Sequence, residues 1–239
     1  MNIANESELD KFIKQYPDTK MMEILMPDMN GIIRCKRIPR EEFSTFFCHG
    51  VKGPASTTLL NVRGEFCDEV DFANLEGDPD KLIYPIAGTL APITWLKSDT
   101  AQVLATFTEL DGSPALFDAR NILYKALLPL QAKGLRPAVA TELEFYLIKS
   151  GDGPLPELFL AKIPGTNVDQ SGTQYAMPED LWDNDQFLED VRLACELQNV
   201  PMTTVHSEFS PGQFEINLHH VGNPAVSYTH LTLPTKVSV

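Results

Sequence analysis

Two glutamates within an apolar segment, Glu142 and Glu144, are the first residues of this chain whose spacing suggests chemistry. Residues two apart on a strand project from the same face, so a strand over 137–148 would point both carboxylates the same way. The alternate positions are apolar and would face a core: Val139, Leu143, Phe145 and Leu147. Such a pair belongs either to a solvated sheet face or to a site that binds cations, and this segment alone favours the solvated face.

A second segment, residues 206–218, contains Glu208 and Glu215 on either side of the turn-forming residues Ser210-Pro211-Gly212. The pattern predicts one strand over 203–209 and another over 213–219. Glu215, Asn217 and His219 would share one face of the second strand, opposite its apolar residues. If this hairpin lies beside the 137–148 strand, four glutamates line one cleft: Glu142, Glu144, Glu208 and Glu215.

Such a cluster requires a proton or a cation, because two carboxylates about 4 Å apart repel by roughly 4 kcal/mol at an effective dielectric constant near 20. A set made only of carboxylates favours Mg²⁺ or Mn²⁺ over zinc. These ions can orient nucleotide phosphates and neutralise the charge that develops during phosphoryl transfer. His206 either flanks the metals or has a structural role. A competing hypothesis is a glycosidase that uses Glu208 and Glu215 as acid and base, but it leaves the Glu142/Glu144 pair unexplained.

The elements that would position these residues fall into two regions, and the first covers residues 1–110. Asn30-Gly31 is a strong hairpin signal between two apolar runs. We predict a small, sheet-rich domain with the following elements: a helix over 7–16 with Ser7 as N-cap, a hairpin over 21–38, a short helix over 40–47, strands over 57–62 and 102–107, and an acidic loop over 65–80.

The pattern of the second region, residues 111–224, predicts the beginning of an α/β domain. Asp118 is predicted to cap an amphipathic helix that ends at Gly134. Its apolar face contains Ile122, Leu123, Ala126, Leu127 and Leu130. A second amphipathic helix is predicted over 185–199, ahead of the hairpin that carries Glu208 and Glu215.

Composition excludes several classes of function. The chain has 33 acidic and 19 basic side chains and a net charge of −14, which argues against nucleic-acid binding. No apolar run is long enough to predict a membrane span. Four cysteines occur without a CxxC pair, which is typical of reduced thiols, and we expect a cytoplasmic protein.

Four ordered motifs resemble the glutamine synthetase family: Thr141-Glu142-Leu143-Glu144-Phe145-Tyr146, the segment 206–217, Gly77-Asp78-Pro79-Asp80 with Tyr84-Pro85, and Asp111-Gly112-Ser113-Pro114. The resemblance implies an α+β fold, with a small β-grasp-like N-terminal domain followed by the incomplete start of the family's catalytic α/β domain. It implies that Glu144, Glu208 and Glu215 are catalytic and bind the metal near the glutamate and the amine, and that Glu142 binds the metal near the nucleotide. The implied reaction is ATP-dependent ligation of the glutamate γ-carboxyl to ammonium or to a primary amine or polyamine. The implied assembly is a homo-oligomeric ring.

The chain departs from the family pattern at two places. Residues 48–56 lack the Asp-Gly-Ser-Ser element of ammonia-using members, which points to the γ-glutamylpolyamine synthetase-like branch. Residues 225–239 have no family counterpart and are left out of the fold prediction. Because the resemblance covers the N-terminal half of the family, we expect this chain to be inactive by itself. The alternative is an inactive pseudo-enzyme or structural module of the same fold.

Overall fold

An antiparallel hairpin opens the sheet of the first unit, as Asn30-Gly31 predicts. The computed structural model describes residues 2–66, 77–149 and 157–221. Strand β1 (Met21–Pro27) pairs with β2 (Ile33–Pro39). The turn is held by Asp28, whose Oδ1 accepts hydrogen bonds from the main-chain N–H groups of Asn30 and Ile32, both at 2.9 Å. The chain can reverse here because Gly31 adopts a positive φ of 78°.

Four more strands complete this sheet: β3 (Val51–Pro54), β4 (Asp80–Pro85), β5 (Ala91–Pro92) and β6 (Thr100–Thr108). The main order is β2-β1-β6-β4-β3, with β5 added against β6, and only the β1–β6 pairing is parallel. The sheet curls enough for Lys36 on one edge strand to donate to the Lys52 carbonyl on the other. Helices α1 (Glu6–Gln15) and α2 (Phe43–His49) pack on it through a core of Phe12, Phe43, Phe46, Met22, Ile24 and Val103.

Two local predictions in this unit are wrong. Helix α1 is capped by Asn5, whose side chain accepts a hydrogen bond from the Glu8 N–H at 3.2 Å, and Ser7 lies inside the helix. Residues Ala55–Leu59 form a 3₁₀ turn instead of the start of a strand. In that turn the Ser56 hydroxyl donates to Asp78 at 2.6 Å, a contact that a local pattern does not reveal. Most of the predicted acidic loop lies outside the described residues.

Asp118 caps helix α3 (Ala119–Ala132), as predicted, and also fixes the helix to β6. Its Oδ1 accepts from the Arg120 and Asn121 N–H groups at 2.8 and 3.3 Å. Its Oδ2 accepts from the Thr106 hydroxyl and the Phe107 N–H, both at 2.8 Å. Of the predicted apolar face, Leu127 is buried, whereas Ile122 and Leu123 are exposed. The first compact unit extends to Arg136, and the division into domains after residue 110 stays a prediction.

The second unit starts at Pro137 and contains a three-stranded antiparallel sheet. Its strands are β7 (Glu142–Tyr146), β8 (Met202–Ser207) and β9 (Gln213–Leu218), in the order β7-β9-β8. Helix α4 (Pro178–Asp183), which the sequence did not predict, precedes α5 (Asp185–Leu197). Leu188 of α5 packs with Leu147 and Phe214 on the apolar face of the sheet. No helix among the described residues of either unit meets the length and apolarity that crossing a membrane requires.

Candidate metal and active site

The polar face of the second sheet brings acidic residues from separate segments into adjacent rows. Glu215 on the central strand β9 lies opposite Glu144 of β7 on one side and His206 of β8 on the other. Residues directly opposite each other in an antiparallel pair project from the same face. In the next row, Glu142 lies opposite Asn217. The alternation of apolar and acidic residues therefore places Glu142, Glu144 and Glu215 on one face, as predicted.

Glu208 follows β8 directly and is turned back toward this face by the hairpin. Its main-chain N–H donates to the Gln213 carbonyl at 2.8 Å, which closes the hairpin. Its carboxylate Oε2 accepts from the Phe209 N–H at 3.1 Å, and its Oε1 lies 3.0 Å from His206 Nε2. The Phe209 N–H, followed by the His206 imidazole, lowers the pKa of Glu208 against the opposing effect of burial. Glu208 is therefore held as a carboxylate at neutral pH.

His206, Glu208 and Glu215 form a group that can bind a divalent cation. One ligand atom from each residue lies within 4.8 Å of the others. His206 Nε2 is 3.0 Å from Glu208 Oε1 and 3.9 Å from Glu215 Oε2. An octahedral ion with donors at about 2.1 Å places neighbouring donors about 3.0 Å apart and opposite donors about 4.2 Å apart. The 3.0 Å separation matches neighbouring donors and the 3.9 Å separation lies between the two values. The two carboxylates would supply hard oxygen ligands.

The other two predicted glutamates lie beside this group, with different partners. Glu144 Oε2 accepts a hydrogen bond from Gln213 Nε2 at 2.7 Å, and both Glu142 and Glu144 are exposed. Asn217, opposite Glu142, donates its amide to Glu215 Oε1 at 2.6 Å. The structure thus gathers Glu208 and Glu215 around His206 and places Glu142 and Glu144 on the same face. Metal binding by the four glutamates stays a prediction.

His206 is closer to the carboxylates than its sequence context indicated. The sequence left open whether it flanks the metals or is structural, and the structure places its Nε2 within reach of both Glu208 and Glu215. The sequence did contain a signal for this proximity, because His206 precedes Glu208 by two residues on a predicted strand. That spacing puts both side chains on the same face of the sheet.

A buried polar layer lies beneath the hairpin that carries Glu208 and Glu215. The side chain of Gln174 is fully buried, with its Oε1 accepting from the Gly212 N–H and its Nε2 donating to the Gln213 carbonyl, both at 3.1 Å. Ser207 is also fully buried, and its hydroxyl donates to the Gln174 carbonyl at 3.0 Å and accepts from the Met177 N–H at 2.9 Å. Residues 174–177 therefore fix both the end of β8 and the turn that follows it.

Asp180 of α4 is a buried acid within this layer. Its side chain is almost completely inaccessible, and its Oδ2 makes no hydrogen bond with the described residues. Burial raises the pKa of Asp180 to about 6, and an interaction with the Ser207 hydroxyl opposes this effect only in part. A carboxyl group in such surroundings is most stable when it is protonated.

Two exposed aromatic rings stand next to the carboxylate group. Tyr175 and Phe209 stack with ring centroids 4.8 Å apart and an interplanar angle of 29°. The Tyr175 ring also meets the His206 ring edge to face, at a centroid distance of 5.6 Å. The sequence analysis did not identify this pair, because its members are separated by more than thirty residues and share no local motif.

Comparison with known protein families assigns this chain to a family. Residues 116–227 match the family model described as glutamine synthetase, catalytic domain. Gamma-glutamylputrescine synthetase PuuA of Escherichia coli (strain K12) is 32% identical over 220 residues, which is 92% of this chain and 46% of that protein. This chain belongs to the glutamine synthetase family. The glutamate–isopropylamine ligase of a Pseudomonas species is 27% identical over 197 residues, covering 81% of this chain and 42% of the relative.

The chain spans about half the length of the curated relatives it matches. Solved structures agree on the fold. A structure titled GmaS/ADP complex superposes with a TM-score of 0.71 at 18% identity, covering 92% of this chain and 46% of that one. The glutamine synthetase of Plasmodium falciparum superposes with a TM-score of 0.64 at 18% identity, covering 92% and 45%. The glutamine synthetase-type α+β fold that the motifs implied is therefore confirmed, and the glycosidase hypothesis is not retained.

Proposed function

We propose that this chain supplies part of the active site of a ligase that joins the γ-carboxyl of glutamate to an amine at the expense of ATP. The observation that supports this proposal most directly is the convergence of His206, Glu208 and Glu215 within 4.8 Å in a chain of the glutamine synthetase family. The relatives include one named for putrescine and one named for isopropylamine. They make an organic amine a reasonable acceptor for this chain too.

The proposed reaction has two steps. The γ-phosphoryl group of ATP passes to the γ-carboxylate of glutamate, which gives γ-glutamyl phosphate and ADP. The amine nitrogen then attacks the acyl carbon, the bond from that carbon to the phosphate oxygen breaks, and the nitrogen loses a proton. The products are an amide and inorganic phosphate. Bound Mg²⁺ or Mn²⁺ would supply charge neutralisation for the transferring phosphoryl group.

The residues of this chain would hold and orient the carboxylates in advance. The Phe209 N–H and His206 fix Glu208, and the Asn217 amide fixes Glu215, which is only 8% exposed. The Gln213 amide fixes Glu144. Such positioning lowers the free energy needed to organise a charged site during the reaction. We propose Glu142 and Glu144 as additional ligands on the basis of their shared face and the family motif.

Metal binding is the first test, because it requires only this chain. The free Mn²⁺ concentration is measured by electron paramagnetic resonance while the wild-type chain is titrated with the ion. We expect the titration to reveal a binding site that is absent from the Glu208→Gln/Glu215→Gln double variant. The Glu196→Gln variant is the matched control, because Glu196 is an exposed acid on α5, away from the cluster. Equal Mn²⁺ binding by the wild type and the double variant would contradict the assignment of the site.

Turnover is the second test and uses the polypeptide at the length encoded by its own reading frame. We expect ADP release that requires glutamate, an amine and Mg²⁺ together, with the γ-glutamylamide identified by mass spectrometry. Metal binding without any such turnover would favour the pseudo-enzyme alternative. The homo-oligomeric ring and the cytoplasmic location stay predictions, and light scattering on the purified polypeptide tests the ring.

A further inference from the structure

Gln174 connects a distant segment of the chain to the hairpin that carries Glu208 and Glu215. Its side chain is fully buried, and it bonds only to the main chain of the turn: Nε2 donates to the Gln213 carbonyl and Oε1 accepts from the Gly212 N–H. A buried amide group is costly to leave unpaired, so these two bonds define one docked position of the 174–177 segment. The proposed reaction assigns no part to Gln174.

The bonds of Gln174 lead directly to two of the acids. The Gln213 carbonyl that accepts from Gln174 also accepts from the Glu208 N–H, at 2.8 Å. The side chain of the same Gln213 donates to Glu144 Oε2 at 2.7 Å. Gln213 therefore lies between Gln174 and two acids that come from different segments of the chain. A shift in its main chain would disturb the bonds to both.

The turn is also held from a second side. Gly212 adopts a positive φ of 74°, and its carbonyl accepts from the Leu147 N–H at 3.0 Å. A Cβ atom at position 212 would lie 3.0 Å from the Phe159 carbonyl oxygen, so the main chain near Phe159 covers the turn closely. Loss of the Gln174 bonds would leave the turn supported from one side only.

A cation site requires its ligands at fixed separations, and loss of a residue that orients the ligands commonly weakens metal binding by about 10- to 100-fold. We propose that Gln174 is a positioning residue for the cation site, and that docking of the 174–177 segment and cation binding at Glu208 and Glu215 favour each other. Such coupling is reciprocal, because a contact that raises the affinity for a cation is stabilised by that cation by the same factor. This inference rests on the proposed function, since it takes the carboxylate group as the cation site.

The first test compares the Mn²⁺ affinities of Gln174→Met and Asn184→Leu under conditions where both variants are folded. Asn184 is the matched control, because its amide is also buried in the second unit but donates to the Asp180 carbonyl, at the junction of α4 and α5. We expect Gln174→Met to weaken Mn²⁺ binding about tenfold and Asn184→Leu to change it less than about twofold. Equal losses in the two variants would indicate a merely structural role and overturn the inference, as would an unchanged affinity in Gln174→Met.

The second test needs no substitution at Gln174. Hydrogen exchange at the Gly212 amide of the wild-type chain is followed by NMR with and without saturating Mg²⁺, which is diamagnetic. We expect Mg²⁺ to slow this exchange about tenfold, close to the factor by which Gln174→Met weakens Mn²⁺ binding. The Phe107 amide, bonded to Asp118 in the first unit, is the reference and should exchange at an unchanged rate. Equal Gly212 exchange with and without Mg²⁺ would overturn the coupling.

The outcomes separate this inference from the proposed function. Equal Mn²⁺ binding by the wild type and the Glu208→Gln/Glu215→Gln double variant removes the cation site and the coupling with it. A site that binds Mn²⁺ equally in the wild type and in Gln174→Met overturns the positioning role and leaves the ligase proposal standing. A site that depends on Gln174 in a polypeptide without turnover supports the positioning role and overturns the ligase proposal.

Discussion

The buried carboxyl group of Asp180 makes a specific prediction about stability and pH. The folded state raises the pKa of Asp180 from 3.8 to about 6. A raised pKa means that the folded protein holds the proton more tightly than the unfolded chain does. The resulting contribution to stability is fully present below pH 3.8 and is lost as the pH rises through about 6. Above that range the ionised carboxylate is buried at a cost in free energy.

The size of this cost follows from the two pKa values. Their difference corresponds to at most roughly 3 kcal/mol at pH 7. Local opening of the short helix α4 would reduce it. We therefore expect Asp180→Asn, which has nearly the same shape and no charge, to raise the free energy of unfolding by about 1–3 kcal/mol at pH 7.5. At pH 4 the variant and the wild type should differ by less than about 0.5 kcal/mol.

Trp182 offers a local probe for the measurement, since it lies two residues after Asp180 on the same helix. The chain has two tryptophans, so a Trp95→Phe background leaves Trp182 as the only one. Urea unfolding followed by its fluorescence at pH 4, 5, 6 and 7.5 gives the difference between variant and wild type at each pH. Subtracting the unfolding free energy of the wild type from that of the variant cancels the contributions of the acids that both chains share.

Asp183→Asn is the control, because Asp183 is exposed on the same helix and the charge change is identical. The Asp183 charge raises the pKa of Asp180 less than burial does, so its removal should leave most of that shift in place. We expect a small effect, within about 0.5 kcal/mol, at every pH. The reasoning is refuted if Asp180→Asn destabilises the chain at pH 7.5, or if its effect is the same at pH 4 and pH 7.5.

Three further predictions concern residues that hold the elements in place. Asp118→Ala removes four hydrogen bonds at the junction of β6 and α3, and we expect a loss of about 2–4 kcal/mol in unfolding free energy, measured by urea denaturation. Gln174→Met leaves the Gly212 N–H without its partner and removes one of the two donors to the Gln213 carbonyl, which should cost about 2 kcal/mol and speed hydrogen exchange at the Gly212 amide. An unchanged exchange rate would contradict this role. Glu215→Gln alone should weaken Mn²⁺ binding at least about tenfold, measured by the electron paramagnetic resonance titration. The urea midpoint of the first unit should stay unchanged.

The polar face of the second sheet was predictable because it depends on a local rule. Strand alternation fixes which side Glu142, Glu144 and Glu215 share, and the turn at 210–212 fixes the direction of the return. The Asp118 cap was predictable for the same reason, since a short acidic side chain at a helix start satisfies nearby N–H groups.

The features that the sequence did not reveal depend on contacts between distant segments. Ser56 pairs with Asp78 across 22 positions, which turns an apparent strand into a 3₁₀ turn. Helix α4 is only six residues long and has no side-chain cap, so it gives little local signal. The proximity of His206 to Glu215 required the register of β8 against β9, which spacing alone does not specify.

The bonds from Gln174 to the hairpin turn have a consequence for folding. Gln174 lies 38 residues before Gly212, so the turn gains its buried partner only after a long stretch of chain has closed on itself. The strands that flank the turn can pair earlier, but the loop between Glu208 and Glu215 is fixed late. The turn between Glu208 and Glu215 therefore reaches its final, buried hydrogen bonding only when the 174–177 segment docks.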